Sequence, residues 1–112
     1  FAQAEGYDGY LRWAYNSWTI DPLTDARFRT WPAGDCFVVY PGGRGSVRFS
    51  KLTEGIQDFE KVRILRAQWQ KEGNEAKLAQ LTEVLKPFTS DKILEEGPAK
   101  ALAAAKSFLD KQ

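Results

Sequence analysis

Residues 10–15 alternate between apolar and other side chains, with Leu11, Trp13 and Tyr15 at every second position. A period of two is typical of a β-strand, because successive side chains of a strand point to opposite faces. The pattern therefore predicts a first strand over residues 10–15.

A second apolar segment, CFVVY at residues 36–40, is continuous rather than alternating. Prolines and glycines bound it on both sides, and a run of this length is typical of a strand that is covered on both faces. Residues 19–32, between the two segments, are rich in turn formers and predict a long loop.

After Gly45 the period of the apolar positions changes to three and four. This spacing predicts a helix that starts near Ser46, a possible cap, runs to about Glu72 and is stopped by Gly73. The apolar positions of this helix are Phe49, Leu52, Ile56, Phe59, Val62, Leu65 and Trp69.

Two shorter helices are predicted downstream. Asn74 can cap the first of them, which ends before Pro87, and Gly97-Pro98 opens the second. Residues 89–91 either form a connector or cap a short turn. The apolar positions of the two helices are Leu78, Leu81 and Leu85, then Leu102, Ala105 and Leu109.

The order of these elements predicts an α+β fragment in which two core strands precede a tail of about three helices. Two strands alone are marginal, so we expect the last strands and helix of a larger α/β domain. Residues 1–112 are treated as one unit, with a strand and loop part over 1–45 and a helical part over 46–112. Residues 1–5, closed by Gly6, are typical of a helix end whose beginning lies upstream.

Composition narrows the class of function. The 112 residues carry 16 basic and 15 acidic side chains, a net charge of +1, and the two signs are interspersed. We therefore expect neither a nucleic-acid partner nor a membrane partner. The chain has no histidine, the usual general base and metal ligand, so carboxylates remain for acid–base chemistry, and we expect no metal and no cofactor.

Individual side chains have simpler expected roles. Arg12 lies in the middle of the first predicted strand, and it should either point into a polar lumen or pair with a carboxylate, such as Asp35 or Asp58, because a charge is not buried alone. Arg48, in the long helix, is expected to be a surface charge. The single cysteine, Cys36, is expected to be a buried core thiol.

Three motifs follow one another: GYLRWAYNSW at 9–18, WPAGDCFVVYPG at 31–42 and SVRFSKLTEGIQDFEKVRIL at 46–65. Together they resemble the C-terminal segment of the catalytic region of glycoside hydrolase family 123 and its uncharacterised bacterial relatives. The resemblance covers residues 7–65, and the order and spacing of the motifs make it specific.

The resemblance implies a (β/α)-barrel enzyme that acts on β-linked N-acetylgalactosamine or a related glycan. It also suggests that the enzyme is secreted or lies in the bacterial periplasm. It also implies a retaining, substrate-assisted route, in which the sugar's 2-acetamido oxygen attacks the anomeric carbon and an adjacent Asp-Glu pair assists. This sequence contains no Asp-Glu dipeptide. Its adjacent acids, Glu95-Glu96, are expected to be surface charges, so the fragment alone should be inactive and its acid pair should lie upstream.

The candidate substrate-binding residues are aromatic and amide side chains, because flat apolar faces suit pyranose rings and amides suit hydroxyl groups. No catalytic residue is assigned. The candidates lie at the ends of the two predicted strands: Tyr15, Asn16, Trp18 and Tyr40.

Two other functions stay open. The chain would be a carbohydrate-binding module if Trp18, Trp31 and Tyr40 formed an exposed platform. It would be a helical interaction domain if the leucines of the second helix or the alanine-rich last helix docked on another chain. Exposed sheet edges would also make self-association possible.

Overall fold

A computed structural model of the chain describes residues 1–27 and 31–112. The chain divides into two compact units. We call Phe1–Tyr10 together with Ile56–Gln112 the helical unit, and Leu11–Gly55 the loop unit. The regular elements of the described residues are α1 (Ala2–Glu5), a 3₁₀ turn (Pro41–Gly43), α2 (Val47–Glu72), α3 (Glu75–Leu85), α4 (Ser90–Glu96) and α5 (Ala99–Leu109).

The helical unit has its core where the three- and four-residue spacing predicted it. Trp69 of α2 is 2% exposed and Leu81 of α3 is 1% exposed, and both belong to one cluster with Val62 and Leu109. Burial of such a shared apolar stripe is what stabilises helices in globular proteins. The long helix, its end at Gly73 and the two downstream helices are therefore confirmed.

The leucines of α3 and the apolar face of α5 pack inside this unit. Leu81 is buried in the cluster, and Leu78 and Leu85 pack against it. In α5, Ala105 and Leu109 are buried, and Lys106 Nζ lies 3.1 Å from Asp58 Oδ2 on α2. The apolar faces that suggested a helical interaction domain thus form an internal core.

The junction of α2 and α3 shows why the first of these helices stops. Gly73 has a positive φ of 65°, a left-handed conformation that glycine adopts without steric cost and that commonly ends helices. The amide of Asn74 donates to the carbonyl of Trp69 over 2.9 Å. The side chain of Asn74 then accepts from the amide of Lys77 over 3.2 Å, so the predicted cap of α3 is confirmed.

Replacing Asn74→Ala should lower the free energy of unfolding by about 1 kcal/mol, because the amide of Lys77 loses its acceptor at the start of α3. Chemical denaturation followed by far-ultraviolet circular dichroism measures this change. Asn74→Ser keeps an acceptor and should restore most of the loss. Equal stability of the alanine variant and the wild type would contradict the capping role.

The two predicted core strands are wrong, and so is the α+β fold class. No described residue lies in a regular strand, and the antiparallel pairs Asn16↔Phe37 and Tyr40↔Arg44 are isolated bridges. The regular structure of the described residues is helical. The expectation of the last strands of a (β/α) barrel is overturned with it. The described residues offer no sheet edge that would support self-association.

The strand predictions fail because of where the apolar residues lie. The alternating face of residues 10–15 is not buried, since Leu11 is 95% and Trp13 is 81% exposed. Alternation indicates a strand only where a sheet and its core cover one face, and residues 1–27 and 31–112 supply no further strands here. The second apolar run is buried at residues 36–38, but it bends at Val38 and Val39 and enters the 3₁₀ turn at Pro41.

The predicted loop at 19–32 has neither helix nor strand in its described parts, 19–27 and 31–32, while residues 28–30 lie outside the described residues. Residues 89–91 form the start of a short helix rather than a connector, because α4 begins at Ser90 with Thr89 as its cap residue. No helix in the described ranges is both long and apolar enough to cross a membrane.

Candidate functional site

The loop unit is organised around the segment Cys36 to Tyr40. Cys36 is 2% exposed, Phe37 is fully buried and Val38 is 9% exposed. The loop unit thus contains a small group of buried apolar side chains. All four candidate substrate-binding residues belong to this unit.

Tyr15 and Asn16 lie alongside this segment through the backbone. The amide of Val38 donates to the carbonyl of Tyr15 over 2.9 Å, and the amide of Ser17 donates to the carbonyl of Cys36 over 3.1 Å. These two bonds flank the antiparallel bridge between Asn16 and Phe37. The pairing places Asn16, which is exposed, beside the buried Phe37.

Trp18 reaches the same segment through its side chain. The indole Nε1 donates a 2.7 Å hydrogen bond to the carbonyl of Val39, and 39% of the residue remains exposed. The bond satisfies the only polar group of the indole and fixes the ring. What remains for a ligand is therefore the apolar surface of the ring.

Tyr40 and Tyr15 are held by other aromatic rings. The ring of Tyr40 meets that of Phe37 edge-on, with centroids 5.3 Å apart, and the ring of Tyr15 meets that of Phe49 edge-on at 6.3 Å. Edge-to-face pairs of this kind are favourable for aromatic rings. These contacts thus bring Tyr15, Asn16 and Trp18 to the segment that contains Tyr40.

Arg48 is the residue whose part in this arrangement the sequence analysis missed. Its Nε donates to the carbonyl of Phe37 over 3.0 Å, and its guanidinium carbon lies 4.8 Å from the centre of the Phe37 ring and 5.9 Å from that of Tyr40. It is not only a surface charge. The sequence signal was weak, because nothing local links the first turn of α2 to residues 37–40.

Two polar side chains form hydrogen bonds with this segment or with Asp35, the residue before it. Arg12 donates through Nη2 to the backbone carbonyl and to Oδ1 of Asp35, which confirms one of its two expected pairings. Ser46 donates through Oγ to the carbonyl of Val38, and the same oxygen accepts from the amide of Phe49 over 3.0 Å. The expected cap of α2 thus also ties the helix start to the apolar run.

Asp25 forms a two-bond pair with Arg27. The guanidinium donates from Nε to Oδ1 and from Nη2 to Oδ2, each over 2.8 Å. These hydrogen bonds, with one from the Arg27 backbone amide, lower the pKa of Asp25 from 3.8 to about 2. A general acid in glycoside hydrolysis needs a raised pKa instead, so Asp25 is unsuited to that role.

Arg27→Gln should raise the pKa of Asp25 back towards 3.8, because the charged partner that favours the carboxylate is gone. The folded-state pKa is depressed, so the stabilisation from this pair is present above pH 3.8 and is lost as the pH falls towards 2. The carboxyl carbon shift of Asp25, followed by nuclear magnetic resonance (NMR), measures the midpoint. An unchanged midpoint in Arg27→Gln, with Arg63→Gln as control, would contradict this cause.

The helical unit contains a separate cleft of about 420 Å³. Its polar lining includes Gln3 and Arg66, which are joined by a 2.9 Å bond from Nη1 to Oε1. None of the sequence candidates lines it. Within the described ranges, no group of three His, Cys, Asp or Glu side chains is placed to hold a metal ion.

Comparison with known families decides the class of this chain. Residues 1–65 match the family model described as glycoside hydrolase 123, catalytic domain. The chain belongs to glycoside hydrolase family 123. The match takes in the whole loop unit and all three motifs, and it ends inside α2. A comparison with curated proteins found no match.

Membership of family 123 makes the chain part of a glycoside hydrolase and implies a carbohydrate partner. The adjacent acids Glu95 and Glu96 lie outside the matched residues, in α4, and both are exposed. An exposed carboxyl on a short helix has ordinary solvation. The expectation that these two residues are surface charges is confirmed.

Proposed function

We propose that this chain forms the sugar-contacting wall of a family 123 glycoside hydrolase that acts on β-linked N-acetylgalactosamine or a related glycan. Trp18, Tyr40 and Tyr15 present ring surfaces to the pyranose, and Asn16 exchanges hydrogen bonds with its hydroxyl or acetamido groups. The observation that carries the proposal is the convergence of Tyr15, Asn16 and Trp18 on residues 36–40, which include Tyr40, in the part of the chain that matches the catalytic domain.

The exposure of the rings supports a binding role over a core role. Tyr15 is 54% exposed and Trp18 is 39% exposed, although each is held in place by a specific contact. Rings that are both exposed and fixed offer a ligand apolar area at a low cost in conformational entropy. Asn16 is exposed beside them, so its amide is accessible.

The reaction proposed is retaining and substrate-assisted. The 2-acetamido oxygen attacks the anomeric carbon as the bond to the leaving oxygen breaks, one carboxylate orients the acetamido group and one carboxylic acid protonates the leaving oxygen. In the loop unit, Asp25 and Asp35 are engaged by Arg27 and Arg12. The sequence also has no Asp-Glu dipeptide, so the two acids are proposed to come from polypeptide outside these 112 residues.

The test is an NMR titration of the 112-residue chain with N-acetylgalactosamine, read at the backbone amide signals of residues 36–39, which every variant keeps. We expect saturable binding, weakened about tenfold by Trp18→Ala or Tyr40→Ala, because each removes apolar area worth roughly 1.5 kcal/mol. Trp13→Ala removes an equally aromatic but 81% exposed residue and should leave the affinity unchanged. Galactose, which lacks the acetamido group, should bind more weakly.

Absence of saturable binding, or equal affinity of the wild type and both site variants, would refute the proposed wall. Hydrolysis of an aryl β-N-acetylgalactosaminide by the chain itself would refute the assignment of the acids to other polypeptide.

The alternative of a free-standing binding module has one observation in its favour, the 51% exposure of Trp31. A platform of Trp18, Trp31 and Tyr40 requires Trp31→Ala to weaken sugar binding as much as Trp18→Ala does. A catalytic wall centred on residues 36–40 predicts that Trp31→Ala leaves the affinity unchanged.

A further inference from the structure

One side chain lies over both aromatic rings of the apolar segment. The guanidinium of Arg48 lies over Phe37 at 4.8 Å and over Tyr40 at 5.9 Å, and its Nε is fixed by the Phe37 carbonyl. A cation above an aromatic face is attracted by the ring quadrupole. The Arg48 side chain therefore restrains the Tyr40 ring relative to Phe37.

Gly34 provides the space for this arrangement. A Cβ at Gly34 would lie 2.7 Å from Nη1 of Arg48, which is closer than non-bonded atoms approach. Gly34 also has a positive φ of 72°, which glycine adopts freely. The chain thus keeps a residue without a side chain where the guanidinium passes.

Trp18 is fixed to the neighbouring residue of the same segment. Its indole donates to the carbonyl of Val39, while Arg48 engages Phe37 and Tyr40 on either side. The distance between the Trp18 and Tyr40 rings therefore depends on the conformation of residues 37–40. Preorganised walls bind a rigid ligand more tightly, because less ordering remains to be done on binding.

We propose that Arg48 is a positioning residue of the sugar site, which holds Tyr40 at the spacing from Trp18 that a pyranose requires. This inference rests on the proposed function and adds to it a residue that does not itself contact the sugar.

The test compares Arg48→Ala with Arg44→Ala, a control that removes an exposed arginine of the same unit. Arg48→Ala should weaken the affinity for N-acetylgalactosamine about fivefold, the equivalent of one cation–π contact. Arg44→Ala should bind as the wild type does. In a Tyr40→Ala background, Arg48→Ala should cause no further loss, because its effect passes through Tyr40.

Wild-type affinity in Arg48→Ala would overturn the inference, and so would a loss that persists undiminished in the Tyr40→Ala background. If Arg48→Ala does not fold, Arg48→Lys replaces it. Lysine keeps the charge but lacks the planar donor at Nε, so intermediate affinity is expected and wild-type affinity would overturn the inference.

The ring protons of Tyr40 separate this inference from the proposed function. If the wild type binds no sugar, the proposed function fails, yet Arg48→Ala should still shift the Tyr40 ring signals because the ring loses its restraint. If the wild type binds and those signals stay unchanged in Arg48→Ala, only the positioning role fails.

Discussion

Trp69→Ala is expected to lower the free energy of unfolding of the helical unit by about 3–5 kcal/mol, the usual cost of deleting a large buried ring. Trp69 is 2% exposed and meets the ring of Phe108 edge-on at 6.2 Å. Lys77 Nζ lies 5.2 Å from its ring centre. The substitution leaves a cavity where α2 and α5 meet and removes both ring contacts.

Urea denaturation followed by far-ultraviolet circular dichroism measures this loss, because the helices supply the signal. Domains of this size are typically stable by about 5–15 kcal/mol, so the variant should be largely or wholly unfolded at moderate urea. Ile64→Ala, a 55% exposed position on the same helix, should cost less than about 1 kcal/mol. Similar losses in the two variants would show that Trp69 is not the centre of the core.

Phe37→Ala should destabilise the loop unit by about 3–5 kcal/mol. Phe37 is fully buried, and its ring contacts both Tyr40 and Arg48. The core of this unit consists of few large side chains, so the remaining apolar residues have little with which to refill the space. The variant should lose the order of residues 36–40 and with it the arrangement of Trp18 and Tyr40.

Hydrogen exchange measures the effect of Phe37→Ala at individual backbone amides. The amides of Ser17 and Val38 are bonded to the carbonyls of Cys36 and Tyr15, and both should lose their protection in Phe37→Ala. Trp13→Ala, at an 81% exposed position of the same unit, should leave both amides protected. Retained protection in Phe37→Ala would show that other contacts hold the two segments together.

The helices were predictable because their signals are local and repeated. Three- and four-residue spacing, Asn74 as a cap and Gly73 as a stop all act within a few residues of where they are read. The apolar stripe that the spacing predicts is the stripe that the core of the helical unit buries.

The loop unit was not predictable in the same way. Whether residues 10–15 form a strand depends on what covers Leu11 and Trp13, and in this structure both are exposed. A short apolar run such as 36–40 can be buried in a bent conformation as well as in an extended one, so its composition does not determine its shape.

For the candidate site, the sequence indicated which residue types to consider but not the contacts between them. Aromatic and amide chemistry selected Tyr15, Asn16, Trp18 and Tyr40, and the structure brings the first three to residues 36–40, which include Tyr40. It does so without the strands that suggested them. Arg48 contacts Tyr40 and Phe37, which lie 8 and 11 residues earlier in the sequence. No local pattern predicts contacts over this separation.

The single thiol of the chain offers a chemical measure of how often the loop unit opens. Cys36 is 2% exposed and lies next to the residue that anchors the apolar segment. An alkylating reagent can therefore reach its sulfur only during transient opening, and the rate of labelling relative to a free cysteine gives the population of open molecules. Sugar that binds the closed unit would slow this reaction in proportion to its occupancy.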